Sequence, residues 1–247
     1  MKTDRGLIEN ILEKTKLRVE RLKDHKSIEN EIRKAQKAGK IPLISEIKPA
    51  SPLKDLRPIQ DPLEVLGAME RGGASGISVL TEPYFFKGSF DFLRSVSASS
   101  KLPTLRKDFI IDPIQVAETV ASGADMLLLI VGILTETQLR ELYASAIEFG
   151  ITPVVEVQSR DEIELADFCD IVMINNRNLW DLTVDISRTE KLIGYIGKKT
   201  IISASGIKTR ADALRMIDCG ADAVLVGSSI MESEDIELKV RELVWGD

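Results

Sequence analysis

Cysteine and histidine are scarce in this chain: Cys169, Cys219 and the single His25 are all that occur in 247 residues. A structural zinc site needs about four thiolate or imidazole ligands, and a disulfide framework needs paired, closely spaced cysteines, so neither organises this protein. Each cysteine falls between a helix end and a strand start, and both read as buried packing residues. Long apolar runs are missing too. No stretch approaches the roughly 18 residues of a membrane span, and Met1-Lys2-Thr3-Asp4-Arg5 opens into a charged helix in place of an apolar signal, so the cytoplasm is the expected compartment. Positive charge is not in surplus: 33 Lys and Arg against 39 Asp and Glu leave a net charge of -6. That balance excludes nucleic acid and anionic membrane as partners, because both need a basic face that displaces counterions. Any anionic ligand must be held by local positive charge.

The remaining composition, 44% hydrophobic and 29% charged, is that of a globular chain. Apolar runs alternate with amphipathic segments from Pro42 onward, the pattern of parallel strands joined by helices. Strands are predicted over 43–47, 76–80, 104–107, 126–131, 152–157, 171–174, 200–204 and 223–226. Helices are predicted over 62–71, 90–98, 113–122, 136–149, 160–167, 186–196, 210–219 and 236–244. Asp61-Pro62 and Asp112-Pro113 put a capping acid before a proline at the first helical position, and Gly73, Gly123, Gly150 and Gly220 stand where helices stop. Gly-Ala steps recur at Gly73-Ala74, Gly123-Ala124-Asp125 and Gly220-Ala221-Asp222, which suggests one repeated unit. Eight such units without a GxGxxG opening fit a (β/α)8 TIM barrel better than a doubly wound sheet. Residues 1–247 are read as a single barrel domain. Residues 1–40 form an N-terminal helical extension, with a helix over 5–38 packed on the outside of the first strand.

Charge at the ends of these strands marks a site. An ionisable group within or just past a buried strand is desolvated for nothing unless it faces a ligand, and in this fold strand ends carry the chemistry. Glu46, Lys48, Lys107, Glu156, Asn175 and Arg177 all fall there. Glu46 and Lys48 share a facing by strand alternation. Lys48 and Lys107, crowded together among apolar walls, are expected to lose proton affinity and so serve as general acids, with Glu156 as partner base. Ser205-Gly206-Ile207 and Gly227-Ser228-Ser229, the loops after strands seven and eight, offer backbone N–H groups to a phosphate. Phe86, Phe109, Leu128 and Leu179 lie near the mouth, where the two phenylalanines suit a flat apolar ring. These features describe acid-base chemistry, without metal, on a phosphorylated and ring-bearing small molecule.

At these residues the chain resembles indole-3-glycerol phosphate synthases. The stretches that carry the likeness are Ser45-Glu46-Ile47-Lys48-Pro49-Ala50-Ser51-Pro52, Leu105-Arg106-Lys107-Asp108-Phe109-Ile110-Ile111-Asp112-Pro113, Val155-Glu156-Val157, Ile174-Asn175-Asn176-Arg177-Asn178-Leu179 and Ser205-Gly206-Ile207. The resemblance implies ring closure of 1-(2-carboxyphenylamino)-1-deoxyribulose 5-phosphate, with loss of CO₂ and water, in tryptophan biosynthesis. It implies Lys107 as general acid, Lys48 as anion binder and second donor, Glu156 as the acid or base of dehydration, and Glu46 as their orienting carboxylate. Asn175 would bind sugar hydroxyls or the developing intermediate, and Arg177 and Ser51 the anthranilate carboxylate. Phe86, Phe109, Leu128 and Leu179 would surround the ring, and Ser205, Gly206, Gly227 and Ser228 the phosphate. No metal or organic cofactor is implied, the partner is the small sugar phosphate alone, and the chain is compatible with a monomer.

Two departures from the family pattern stand out. Ala204 occupies the place of the usual Glu before Ser205-Gly206, which predicts a reduced but nonzero rate and leaves a weakened, phosphate-binding homologue as the alternative reading. In the first loop, Pro49 and Leu53-Lys54-Asp55 replace the usual basic residue and Ser-Lys-Gly. A rival barrel enzyme, phosphoribosylanthranilate isomerase, relies on a Cys and Asp pair at strand ends, where neither Cys169 nor Cys219 is expected.

Overall fold

A computed structural model describes Leu12, Glu13 and residues 26–246. Eight parallel strands close into a barrel: β1 Leu43–Ile47, β2 Gly76–Leu80, β3 Thr104–Lys107, β4 Met126–Ile130, β5 Thr152–Val157, β6 Ile171–Asn175, β7 Thr200–Ala204 and β8 Ala223–Val226. The ring closes where β1 lies along β8, with Leu43 opposite Val224 and Ser45 opposite Val226. Among the described residues the helices are α1 Ile28–Lys37, α2 Pro62–Gly72, α3 Phe90–Ser99, α4 Pro113–Ser122, α5 Glu136–Glu148, α6 Arg160–Leu165, α7 Ser187–Leu192, α8 Arg210–Asp218, α9 Ser228–Met231 and α10 Ile236–Trp245. The expected TIM barrel is therefore present, and strand limits differ from the prediction by one residue at β4 and β6.

Local chemistry accounts for these elements. Asp61 accepts from Leu63 N, Asp112 forms a reciprocal capping box with Gln115, and α2 ends on Gly73, whose φ of 101° suits the left-handed position. The repeated Gly-Ala-Asp step has a physical basis as well. Asp125, just before β4, accepts from Thr104 N at 2.8 Å, and Asp222, just before β8, accepts from Ile201 N at 2.8 Å. In each repeat one carboxylate ties the foot of its strand to the preceding one.

The alternating side chains of the strands divide the apolar interior. Inward-facing Ile44, Leu105, Met126, Leu128, Val154, Met173 and Ile202 form the barrel core, while Leu43, Ile47, Leu127 and Val155 pack outward against the helices. The N-terminal extension departs from expectation in two ways. Its helix does not run through 5–38: extended backbone at Ser27 interrupts it, and Ser27 caps α1 by accepting from Asn30 N. Nor does α1 lie against the outside of the first strand. Ile28 and Ile32, one turn apart, join the barrel core and plug the N-terminal end of the ring. Lys26 N donates to Asp125 Oδ1 at 2.8 Å, which anchors this plug to the base of β4. His25 and the rest of the extension expected at residues 1–25, apart from Leu12 and Glu13, lie outside the described residues.

Truncating the plug should therefore act as a core mutation. Ile28→Ala is expected to cost about 2–5 kcal/mol in equilibrium urea unfolding, and an unchanged midpoint would contradict the placement of Ile28 inside the ring.

Candidate active site

The C-terminal mouth of the barrel opens into a cavity of about 900 Å³, within the size range of small-ligand sites. Every predicted site residue lines it: Glu46, Lys48 and Ser51 from the first unit, Phe86 from the second, Lys107 and Phe109 from the third, Leu128 from the fourth and Glu156 from the fifth. The sixth unit adds Asn175, Arg177 and Leu179, and the last two add Ser205, Gly206, Gly227 and Ser228. Leu128 also belongs to the core, as the floor of the cavity. Cys169 and Cys219 lie before β6 and β8, at the opposite end of their strands, so no thiol reaches the mouth. Cys169 is buried as expected, and burial pushes its thiol up to about 12; Cys219 is only half-buried, a departure from expectation.

Two lysine and carboxylate pairs face each other across this mouth. Lys107 Nζ lies 3.2 Å from Glu156 Oε2, and Asn175 Nδ2 donates to Glu156 Oε1 at 2.8 Å, so both oxygens of a carboxylate that is 1% exposed are occupied. Lys48 Nζ lies 3.5 Å from Glu46 Oε1. At Lys107 this arrangement corrects the expected depression of proton affinity. Burial does lower the Lys107 pKa, but the charges of Glu156 and Glu46 and the hydrogen bond to Glu156 outweigh it and raise the value. A second ammonium is not among the causes of the Lys107 shift, which is set by burial and the two carboxylates.

The aromatic wall and the turns after β7 and β8 form the other parts of the cavity. The rings of Phe86 and Phe109 stand 6.2 Å apart at 44°, and Lys48 Nζ lies 5.5 Å from the Phe86 ring centroid. After β7, Ser205 and Gly206 both take positive φ, 71° and 82°. A non-glycine residue held there is strained, a feature that clusters at functional sites. At Gly206 a Cβ would also meet Val184 Cγ1 at 2.7 Å, and at Gly227 it would run into Glu46 Oε1. Both positions depend on the missing side chain.

Several supporting residues escaped the sequence reading. Arg106, buried between Lys107 and the helices, donates to Asp108, Thr81, Thr119, Glu118 and the Gln115 carbonyl, and Asp108 in turn accepts from Phe109 N at 2.8 Å. This network holds the backbone on both sides of Lys107. Asn176, also buried, donates to Ser203 Oγ and to the Ser205 carbonyl, pinning the strained turn. Glu82 accepts from the backbone N–H groups of Tyr84, Phe85 and Phe86 and shapes the second loop. Arg106 and Asn176 carried two signals, adjacency to predicted site residues and membership of the stretches that carry the family likeness, but neither signal gave their partners. The ribbon in the first loop, Ala50–Ser51 paired with Lys54–Asp55, was not predicted, whereas the short α9 after Gly227 is the extra helix that barrels with a phosphate site often place after strand eight.

The family model for indole-3-glycerol phosphate synthase matches residues 4–243. The chain belongs to the indole-3-glycerol phosphate synthase family. Among relatives of that name, one from Dehalococcoides mccartyi is 46% identical over 84% of this chain and 83% of its own length. Another from Geobacillus sp. is 39% identical over 96% of each chain. Solved structures add only the fold: 3-hexulose-6-phosphate synthase from Salmonella typhimurium aligns with a TM-score of 0.68 at 16% identity, covering 82% of this chain and 96% of that one. Membership of the indole-3-glycerol phosphate synthase family agrees with the motif resemblance and leaves the isomerase and weakened-homologue alternatives without support.

The balance at Lys107 yields a pH prediction. With its folded pKa raised above the ordinary value of 10.5, the Lys107 ammonium contributes stability that is complete below the unfolded pKa and is lost as pH rises through the folded one. In Glu156→Gln the main opposing charge is gone, burial gains weight and the Lys107 pKa should fall. NMR titration of the lysine ε-carbon signals reads this directly, and an unmoved Lys107 resonance would refute the assigned cause.

Proposed function

We propose that this protein is an indole-3-glycerol phosphate synthase, closing the indole ring of 1-(2-carboxyphenylamino)-1-deoxyribulose 5-phosphate. The observation that carries the reading is the Lys107 ammonium, 3.2 Å from Glu156, in a cavity with an aromatic wall on one side and the Ser205-Gly206 and Gly227-Ser228 turns on the other. Family membership supports it.

In this reading Lys107 protonates the sugar carbonyl oxygen as the ring carbon bearing the carboxylate attacks the carbonyl carbon. One C–C bond forms, and the electron pair released as CO₂ leaves restores the aromatic ring. Dehydration follows: a proton leaves carbon, the former carbonyl oxygen departs as water, and Glu156 serves as the base or acid of this step. A raised Lys107 pKa keeps the donor charged at neutral pH, and Glu156 supplies both the attraction that holds it and a nearby acceptor. Lys48 and Glu46 bind and orient anionic groups. Ser51 and Arg177 hold the anthranilate carboxylate, Asn175 the sugar hydroxyls, Phe86, Phe109, Leu128 and Leu179 the ring, and Ser205, Gly206, Gly227 and Ser228 the phosphate. The proposed working unit is a monomer. The proposed partner is this small substrate, and the proposed compartment is the cytoplasm.

Incubation with the substrate, followed by indole fluorescence, tests the reading, and a silent wild-type protein would refute it. Lys107→Met should lower kcat by about 10²–10⁴-fold, the range for loss of a general acid. Ala204 lines the mouth opposite Asn175 on the next strand. Ala204→Glu should raise kcat, and an unchanged or lower rate would show that this chain does not miss the carboxylate.

A further inference from the structure

The phosphate end of the cavity contains neutral donors, the turns at Gly206 and Gly227 with Ser228 and Ser229. A phosphate monoester brings nearly two negative charges, and the protein as a whole carries -6. Lys48, whose partner Glu46 lies against Gly227, supplies one positive charge here but shares it with that carboxylate, so further compensation comes from other cations that reach this end. Lys54 and Lys208 both line the cavity. Among the described residues Lys208 has no ion-pair partner, whereas Lys54 Nζ lies 2.8 Å from Glu232 Oε1.

Glu232 is badly placed for an enzyme that binds phosphate. It follows α9, whose first residue is Ser228, and its N–H donates to the Ser228 carbonyl at 2.9 Å. Four helical residues rise only about 6 Å, so an acid stands within one side-chain length of the cradle. The pair with Lys54 is not required to hold the first loop. Ala50 N donates to the Phe86 carbonyl at 3.1 Å, Lys87 pairs with Asp55 at 2.6 Å, and Arg57 donates to the carbonyls of Ser233 and Glu234. With side chains 59% and 42% exposed, the Lys54–Glu232 pair itself contributes little to stability. It is therefore easily exchanged.

We propose that Glu232 is a stand-in for the substrate phosphate: it keeps the Lys54 ammonium beside the cradle in the empty enzyme and gives it up when phosphate arrives. Lys54 is then a phosphate-binding residue, and Glu232 weakens that binding by competition. This rests on the reading above that the cradle takes a phosphate. A dianion outcompetes a single carboxylate for the same ammonium, because the charge product doubles at a similar distance.

The two partners of this pair should respond with opposite signs. Calorimetric titration with glycerol 3-phosphate is expected to show about tenfold weaker binding for Lys54→Met and about threefold tighter binding for Glu232→Gln, shifts of the size that one charged contact supplies. Binding of anthranilate, which lacks phosphate, should move by less than about twofold in both. Weakening in both variants would make the pair a structural latch and overturn the proposal. Equal shifts for both ligands would reduce it to a general field effect, and absence of glycerol 3-phosphate binding to the wild-type protein would also overturn it. Turnover of the wild type, measured alongside, separates this from the function itself. An active wild type with same-sign variants sinks the stand-in alone, and an inactive wild type that still shows opposite signs sinks the reaction alone.

Discussion

The pairing of β1 with β8 is the constraint on which everything else depends. Residues 43–45 and 224–226, at opposite ends of the barrel segment, share one parallel ladder, and without it the eight units would form an open sheet with two unpaired edges. Closure turns strand alternation into a radial rule: every second side chain points into the ring. Apolar ones fill it and α1 plugs its lower end, so those just above the core at the upper end share a single mouth. Glu46 and Gly227 show how tight that closure is, since the carboxylate occupies the space where a side chain at residue 227 would begin.

Within the mouth, electrostatics are arranged by pairing. Bringing two lysines and two acids into a partly desolvated space costs free energy unless each charge meets an opposite one. The structure meets that condition twice, through Lys107 with Glu156 and Lys48 with Glu46. In the proposed reaction, which needs a proton given at one step and taken at another, the first of these pairs would supply both the donor and the acceptor. The strained turn at Ser205 and Gly206 is held from beneath by the buried Asn176, at the end of the cavity proposed to take the phosphate. Lys54 and Glu232 differ from these groups in being exposed to solvent, which is what an exchangeable pair requires.

Much of this was legible in the residue order. The eight strands announced themselves as apolar runs of four to six residues, and the helix ends by Asp-Pro and Gly. Residues such as Lys107 and Glu156 were conspicuous because charge at the end of a buried strand has few explanations other than a site. The supports were not legible for the converse reason. Arg106 and Asn176 gain their roles from partners as far as 25 and 29 residues away, and Glu82 from backbone amides, so their place in the sequence marks them as neighbours of the site without saying what they hold.

The sequence by itself determined the repeating unit, the strand faces and the identity of the charged groups, because these follow from local periodicity and side-chain chemistry. Only the tertiary structure decided which acid met which lysine, and with it the direction of the Lys107 shift. It also placed Ile28 and Ile32 inside the ring and set Lys54 against Glu232. Each of these depends on distances between segments far apart in the chain, and those distances exist only once the barrel has closed.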